Sequence, residues 1–256
     1  MNIIQRSSIP IYQQMFTLLL QAYRTKYLVQ RVSARSIQQM KKPRSRQTSY
    51  KLRQRLIWFA DIMRSYLTET VIDLSTEDMI VTMAKAEDID EMASIHMKYV
   101  ARLQEQALLS ENLKPIHKAI IQIFDLGVSF AEAHSANDAA TSSTRPAPAS
   151  RSASSTKTSR FSKSSRRKSV IPAVVEDSSS DSDGDSAGSD DPAASTVPAS
   201  SSFEESLETI NKEYERLLPF VTAGLRSVGR VGAEPVWEML AERLGWVGRT
   251  QAAVRP

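Results

Sequence analysis

The stretch LRQRLIWFADIMRSY at residues 52–66 decides the fold, because its large apolar side chains recur every three or four residues. This spacing places them in one stripe along a helix, formed by Leu52, Leu56, Phe59, Met63 and Tyr66. Trp58 and Ile62 widen the stripe on one side. A stripe of this width predicts a helix that is buried against more than one neighbour.

The same spacing returns along most of the chain, and no run alternates as a half-buried strand does. The pattern predicts an all-α helical bundle of about seven helices. These cover approximately residues 8–32, 52–71, 75–86, 88–103, 112–134, 203–225 and 235–244. The polar stretch 33–49, which Pro43 interrupts, is predicted as a loop. Ser75 with Asp78 and Asp88 with Glu91 resemble capping pairs at two of the helix starts.

A long serine-rich segment interrupts the bundle at residues 135–202. It contains 22 serines and a single aromatic residue, so it cannot bury enough apolar surface to offset its ordering entropy. We therefore predict a helical part at 1–134, a disordered insert at 135–202 and closing helices of the same domain at 203–256. The basic cluster Arg166-Arg167-Lys168-Ser169 could be a basophilic kinase site or a nuclear-import patch, and the run of serines and aspartates at 178–183 could be an acidophilic kinase substrate. A solvated, low-complexity loop is the favoured interpretation of both.

The charges are segregated along the chain although the formal net charge is only +4. Residues 1–60 carry twelve basic side chains and no acidic one, whereas residues 61–134 carry six basic and thirteen acidic ones. The absence of cysteine excludes disulfides, thiolate metal sites and cysteine nucleophiles. No apolar run reaches the length of a membrane span and no signal peptide is recognisable, so we expect a soluble intracellular protein that does not bind membranes.

The sequence offers little that could support catalysis. Its three histidines, His96, His117 and His134, have no second metal ligand at helical spacing, and the glycines do not form a phosphate-binding loop. Asp88 and Asp90 fall at a predicted helix start, where carboxylates complement the helix dipole. We therefore expect no enzymatic activity, no metal and no cofactor.

Seven basic residues within positions 41–55 are the strongest indication of binding: Lys41, Lys42, Arg44, Arg46, Lys51, Arg53 and Arg55. Such a cluster attracts an acidic partner. The partner could be nucleic acid, an acidic protein surface or the acidic 61–134 region of this chain. Only one aromatic residue, Tyr50, lies within the cluster, and no nucleic-acid-binding motif surrounds it. A nucleic-acid-binding helical protein that uses residues 31–55 is therefore the alternative interpretation.

The order of several short motifs resembles the C-terminal domain of the gamma-tubulin complex components, also known as the spindle pole body component family. Leu52-Arg53 opens an apolar and aromatic run, Asp88-x-Asp90 precedes His96-x-x-Tyr99, and Leu108-Leu109 follows. The segments 2–20 and 203–246 resemble the domain's opening and closing parts. The long insert and the Trp58-Phe59 pair resemble a fungal, component-5-like member.

The resemblance implies a non-catalytic helical domain that binds gamma-tubulin, associates with other components of the complex and supports microtubule nucleation. It also implies a location in the cytoplasm and cytoskeleton at a microtubule organising centre, such as the spindle pole body, and no cofactor in this chain. Family members are much longer, so the chain resembles an N-terminally truncated member. Lys51, Arg53 and Arg55 are the predicted partner-binding residues, because tubulin surfaces are acidic and these cations begin an apolar helix.

Overall fold

The computed structural model describes residues 4–143, 199–232 and 235–252, with side chains for 4–140, 202–230 and 235–245. These residues form eight α-helices and no strand, which confirms the predicted all-α class. The helices are α1 (Ile9–Arg31), α2 (Ala34–Gln38), α3 (Pro43–Ser65), α4 (Leu74–Met83), α5 (Ile89–Gln106), α6 (Lys114–Ser143), α7 (Ala199–Gly232) and α8 (Pro235–Ala252). A π-helix, Tyr66–Asp73, joins α3 to α4.

One hydrophobic core holds the long helices together. Helix α1 packs against α3 and α6, α6 packs against α7, and α7 packs against both α3 and α8. The stripe predicted on α3 is buried, and its Phe59 meets Phe124 of α6 edge to face with ring centroids 5.6 Å apart. The stripe predicted between Phe203 and Leu225 is buried as well, so apolar periodicity identified both sides of this core.

Helices α1 and α6 approach closely at Gly127. A Cβ atom at this position would clash with Cγ2 of Thr25. The hydroxyl of Thr25 donates a hydrogen bond to the carbonyl of Phe124, 3.2 Å away. Gly127 therefore allows the contact between the two helices, and Thr25 fixes their register.

Helix α3, the π-helix and α4 form a continuous helical segment from Pro43 to Met83, where the sequence predicted two separate helices. The predicted cap at Ser75 is wrong: Ser75 lies inside this segment, is 2% exposed and contacts the side-chain oxygen of Gln106 at 3.4 Å. The buried Tyr66 hydroxyl also donates to the carbonyl of Gln106 at 2.7 Å. These contacts join the π-helix segment to the end of α5.

The predicted loop at residues 33–49 is also wrong, because α2 and the first part of α3 lie there. Ser33 caps α2 by accepting a hydrogen bond from the backbone of Arg35. Pro43 occupies the first turn of α3, where its fixed φ favours the helix and its missing N–H costs nothing. Helix α6 extends to Ser143, and the serine-rich segment 144–198 with its candidate kinase sites lies outside the described residues.

Candidate partner-binding surface

The basic cluster of residues 41–55 lies on the N-terminal half of α3 and immediately before it. Basic side chains are unfavourable at a helix N-terminus, where the helix dipole is positive. No acidic residue of α3 lies in the first turn to offset them. The structure instead supplies acidic residues from α7, which packs alongside.

Helix α7 presents a row of acceptors at helical spacing to this part of α3. Glu204 accepts from Lys42 Nζ at 2.8 Å and from the hydroxyl of Ser45 at 2.9 Å. These two hydrogen bonds lower the pKa of the Glu204 carboxyl. One turn further along α7, Glu208 lies 3.5 Å from Arg44. The acidic partner within the chain is therefore α7 rather than the 61–134 region that the sequence suggested.

Arg55 is the most buried of these cations, with 14% of its side chain exposed. Its Nη1 atom lies 3.1 Å from Glu215 Oε1 and 3.3 Å from the side-chain oxygen of Asn211. Its guanidinium also lies 5.8 Å from the ring centroid of Tyr214. Burial raises the pKa of the Tyr214 hydroxyl, although the Arg55 charge opposes this effect. Arg55 thus holds α3 against α7.

Arg53 connects α3 to the end of α1. Its Nε donates to the carbonyl of Val32 at 3.1 Å, and its Nη2 donates to the carbonyl of Gln30 at 3.4 Å. The last carbonyls of a helix carry partial negative charge and have no partner within the helix, so a cation here stabilises the C-terminus of α1.

Lys51 differs from Arg53 and Arg55 because it is exposed. It lies two helical turns after Arg44 and therefore on the same face of α3. Within the described part of the chain, Lys51, Lys41 and Arg46 are exposed and make no ion pair. Of the three predicted binding residues, Lys51 alone is exposed, whereas Arg53 and Arg55 contact the end of α1 and α7.

The histidines occupy packed positions. His96 is buried, and its Nε2 lies 2.9 Å from the Tyr12 hydroxyl. Burial lowers the pKa of His117, and burial lowers the pKa of His134 to about 4 against the opposing charge of Asp138. Among the described residues, no three histidine, aspartate or glutamate side chains form a group suited to a metal ion, and no helix is long and apolar enough to cross a membrane.

Sequence reasoning missed two surface features, one on α7 and one on α1. The acidic row on α7 was visible as Glu204, Glu208 and Glu215, whose spacing repeats with a helical period. The exposed apolar residues Phe16 and Leu20 of α1 have the spacing of a second stripe, but the core stripe of the same helix concealed it.

These features define a helical bundle. Its histidines lie in packed positions, several of its arginines form ion pairs between helices, and Lys41, Arg46 and Lys51 are exposed cations. The family model for the gamma tubulin complex component C-terminal matches residues 2–248. The chain therefore belongs to the gamma-tubulin complex component family, as the motif order indicated.

Two curated relatives are gamma-tubulin complex component 5 of Mus musculus and of Macaca fascicularis. They are 25% and 24% identical to this chain over 81 residues, which is 32% of this chain. The matched stretch covers 8% of the mouse protein and 11% of the macaque protein. The alignments thus span only a small part of the length of these relatives.

Proposed function

We propose that this chain is a non-catalytic structural component of a gamma-tubulin complex that binds gamma-tubulin and supports microtubule nucleation. The match of residues 2–248 to the family's C-terminal model carries this proposal. Other components of the complex are its further partners. A microtubule organising centre, such as a spindle pole body, is its place in the cytoskeleton.

The exposed basic side chains at the start of α3 support a contact region for gamma-tubulin there. Tubulin surfaces are acidic, and Lys51, Lys41 and Arg46 are exposed cations near the start of this helix. Arg53 and Arg55 contribute indirectly, because they hold α3 against the end of α1 and against α7. In this proposal Lys51 faces gamma-tubulin, and the two arginines keep the helix in place.

A pull-down with purified gamma-tubulin tests the proposal. We expect the chain to retain gamma-tubulin at low salt, and we expect retention to weaken as ionic strength rises. Lys51→Glu combined with Arg46→Glu reverses two exposed charges and should weaken binding several-fold without changing the unfolding midpoint. Lys85→Glu, an exposed lysine at the end of α4, is the matched control.

Failure of the unaltered chain to bind gamma-tubulin contradicts the proposed function. Binding that Lys51→Glu with Arg46→Glu leaves unchanged contradicts only the assignment of the surface. Retention of duplex or single-stranded nucleic acid in place of gamma-tubulin, with the steep salt dependence of phosphate contacts, favours the alternative interpretation.

A further inference from the structure

Helix α4 presents large apolar side chains to solvent. Leu74, Ile80 and Val81 are 60%, 58% and 51% exposed. Asp73, the last residue of the π-helix, and Glu77 are exposed as well. Spacings of three, four and seven residues connect the five positions, which places them on one side of the continuous helical segment. We call these five residues the α4 face.

The α4 face lies opposite the side of the helix that packs against α5. On that packed side, Ser75 contacts the side-chain oxygen of Gln106 at 3.4 Å, and Asp78 accepts a hydrogen bond from Arg102 at 2.8 Å. The solvent side of a surface helix normally carries polar residues. Leucine, isoleucine and valine exposed together there are typical of a protein interaction site.

The π-helix Tyr66–Asp73 immediately precedes the α4 face. Such helices are rare and frequently occur at functional sites. The wider turn rotates the side chains that follow it around the helix axis, relative to those of α3. The contacts of Tyr66 and Ser75 with Gln106 hold this segment against the end of α5. The direction of the α4 face is therefore fixed by the fold.

A shallow groove with a volume of about 370 Å³ runs along the α4 face. Its lining consists of Ile72, Asp73, Thr76, Glu77, Ile80 and Val81. Both charged residues in this lining are acidic. Neither Asp73 nor Glu77 forms an ion pair within the described part of the chain. The groove thus combines apolar contact area with two carboxylates that lack counter-charges of this kind.

The cations on α4 and α5 nearby do not line this groove. Arg102 forms an ion pair with Asp78 at 2.8 Å, on the side of α4 that faces α5. Lys98 lines a separate pocket between α4 and α5. Lys85 lies just after the end of α4, where four carboxylates follow it within residues 87–91. The charge in and around the groove is therefore net negative.

We propose that the α4 face binds a basic amphipathic helix of a partner protein. Apolar side chains of that helix pack on Leu74, Ile80 and Val81. Lysine or arginine side chains along its edge lie opposite Asp73 and Glu77. This contact is on a different helix from the α3 surface proposed for gamma-tubulin, and it does not depend on gamma-tubulin binding.

The charges of the groove select the class of partner. Nucleic acid, an anionic membrane and an acidic protein surface are all repelled, because like charges across an interface are strongly unfavourable. An uncharged apolar helix would cover Asp73 and Glu77 without supplying counter-charges, and the desolvation of the two carboxylates opposes binding. A helix with both apolar and basic residues satisfies both parts of the groove.

The probe for this proposal is a fluorescein-labelled helical peptide of about 18 residues, long enough to cover the α4 face. Leucines occupy one side of the peptide and lysines the remaining positions. One control peptide has the same composition with the leucines scattered around the helix, and a second has glutamate in place of lysine. In anisotropy titrations of the full chain, we expect the amphipathic basic peptide to bind at least about tenfold more tightly than either control.

Uncharged substitutions test the apolar part of the groove. Ile80→Gln with Val81→Gln should weaken binding of the basic peptide at least about tenfold, because it places polar groups in the apolar contact. Both side chains are more than half exposed, so the unfolding midpoint should not change. Phe16→Gln with Leu20→Gln, at two exposed apolar side chains of α1, is the matched control and should bind as the unaltered chain does.

Charge reversal tests the acidic part of the groove. Asp73→Lys with Glu77→Lys should transfer the preference of the chain from the lysine peptide to the glutamate peptide. Asp125→Lys with Glu132→Lys reverses two exposed carboxylates of α6 and is the matched control. If the control shifts the preference equally, the net charge of the chain is responsible and the groove is not the binding site.

Four further results overturn the proposal. The first is equal affinity for all three peptides. Self-association that Ile80→Gln with Val81→Gln abolishes assigns the α4 face to a second copy of the chain. Stronger peptide binding after deletion of residues 151–168 assigns it to a basic segment of this chain. Loss of gamma-tubulin retention in Ile80→Gln with Val81→Gln places gamma-tubulin on the α4 face.

The two proposals fail separately. Absence of gamma-tubulin binding in the unaltered chain contradicts the proposed function but leaves the peptide result standing. Equal affinity for the three peptides contradicts the assignment of the α4 face and leaves gamma-tubulin retention unaffected.

Discussion

Arg55 of α3 and Glu215 of α7 form an ion pair across two helices, with 3.1 Å between Arg55 Nη1 and Glu215 Oε1. Within the same row, Arg44 lies 3.5 Å from Glu208. The environments of the two pairs differ: the Arg55 side chain is 14% exposed, and the Arg44 side chain is 88% exposed. Both are arginine–glutamate pairs, and they differ in burial. The contribution of the partly buried pair to stability can therefore be measured separately from that of the exposed pair.

Arg55→Ala should lower the free energy of unfolding by about 1–2 kcal/mol, because it removes a partly buried charged hydrogen bond and a contact with the Tyr214 ring. Arg44→Ala should change it by less than about 0.5 kcal/mol, because an exposed ion pair is screened and mobile. Urea unfolding of the two variants measures both values. Equal effects of the two substitutions would show that burial does not distinguish the pairs.

Gly127→Ala should destabilise the protein by about 1–3 kcal/mol, even though alanine favours the helix more than glycine does. The added methyl group would clash with Thr25 Cγ2 across the contact between α1 and α6. Thr25→Ser removes that methyl group and keeps the hydroxyl that donates to the Phe124 carbonyl. A double-mutant cycle in urea should therefore show Thr25→Ser recovering much of the loss. Additive effects would mean that the clash is not the cause.

The sequence was sufficient to predict the helices that have a regular spacing of apolar residues. Leu52, Leu56 and Phe59 report a buried helix face by their spacing alone, and the structure buries all three. Pro43 was interpreted as a breaker of a polar loop although it begins α3. From the sequence alone, a proline in the first turn of a helix cannot be distinguished from a proline in a loop when the residues after it are polar. The first part of α3 is polar, and its helical structure is evident only from its packing against α7.

The candidate surface depended on contacts distant in sequence. Arg55 and Glu215 are 160 residues apart, so no local pattern could show that Arg55 is engaged within the chain while Lys51 is free of ion pairs among the described residues. Ser75 was predicted as a cap for a similar reason. Its spacing to Asp78 fits a capping pair, but the π-helix Tyr66–Asp73 carries the helix through that point and turns Ser75 towards Gln106.

His134 should make the protein less stable as the pH falls from about 6.5 towards 4. Burial lowers its pKa in the folded state to about 4, whereas the unfolded state takes up a proton near the ordinary value of 6.5. Between these two values the unfolded state binds more protons than the folded state. The free energy of unfolding therefore decreases as the pH is lowered through that interval. His134→Gln should flatten this part of the profile in urea unfolding measured from pH 7 to pH 4. An unchanged profile for His134→Gln would contradict the assignment.

Tyr66→Phe should lower the free energy of unfolding by about 1–2 kcal/mol, because the buried Tyr66 hydroxyl donates to the Gln106 carbonyl at 2.7 Å and its loss leaves that acceptor without this donor. Tyr23→Phe, at a tyrosine 46% exposed, makes the same chemical change at the surface and should cost less than about 0.5 kcal/mol. Amide hydrogen exchange adds a local readout. If the bond joins the π-helix to the end of α5, exchange in Tyr66→Phe should accelerate at Tyr66–Asp73 and near Gln106 more than in α6, whereas uniform acceleration would show only a general loss of stability.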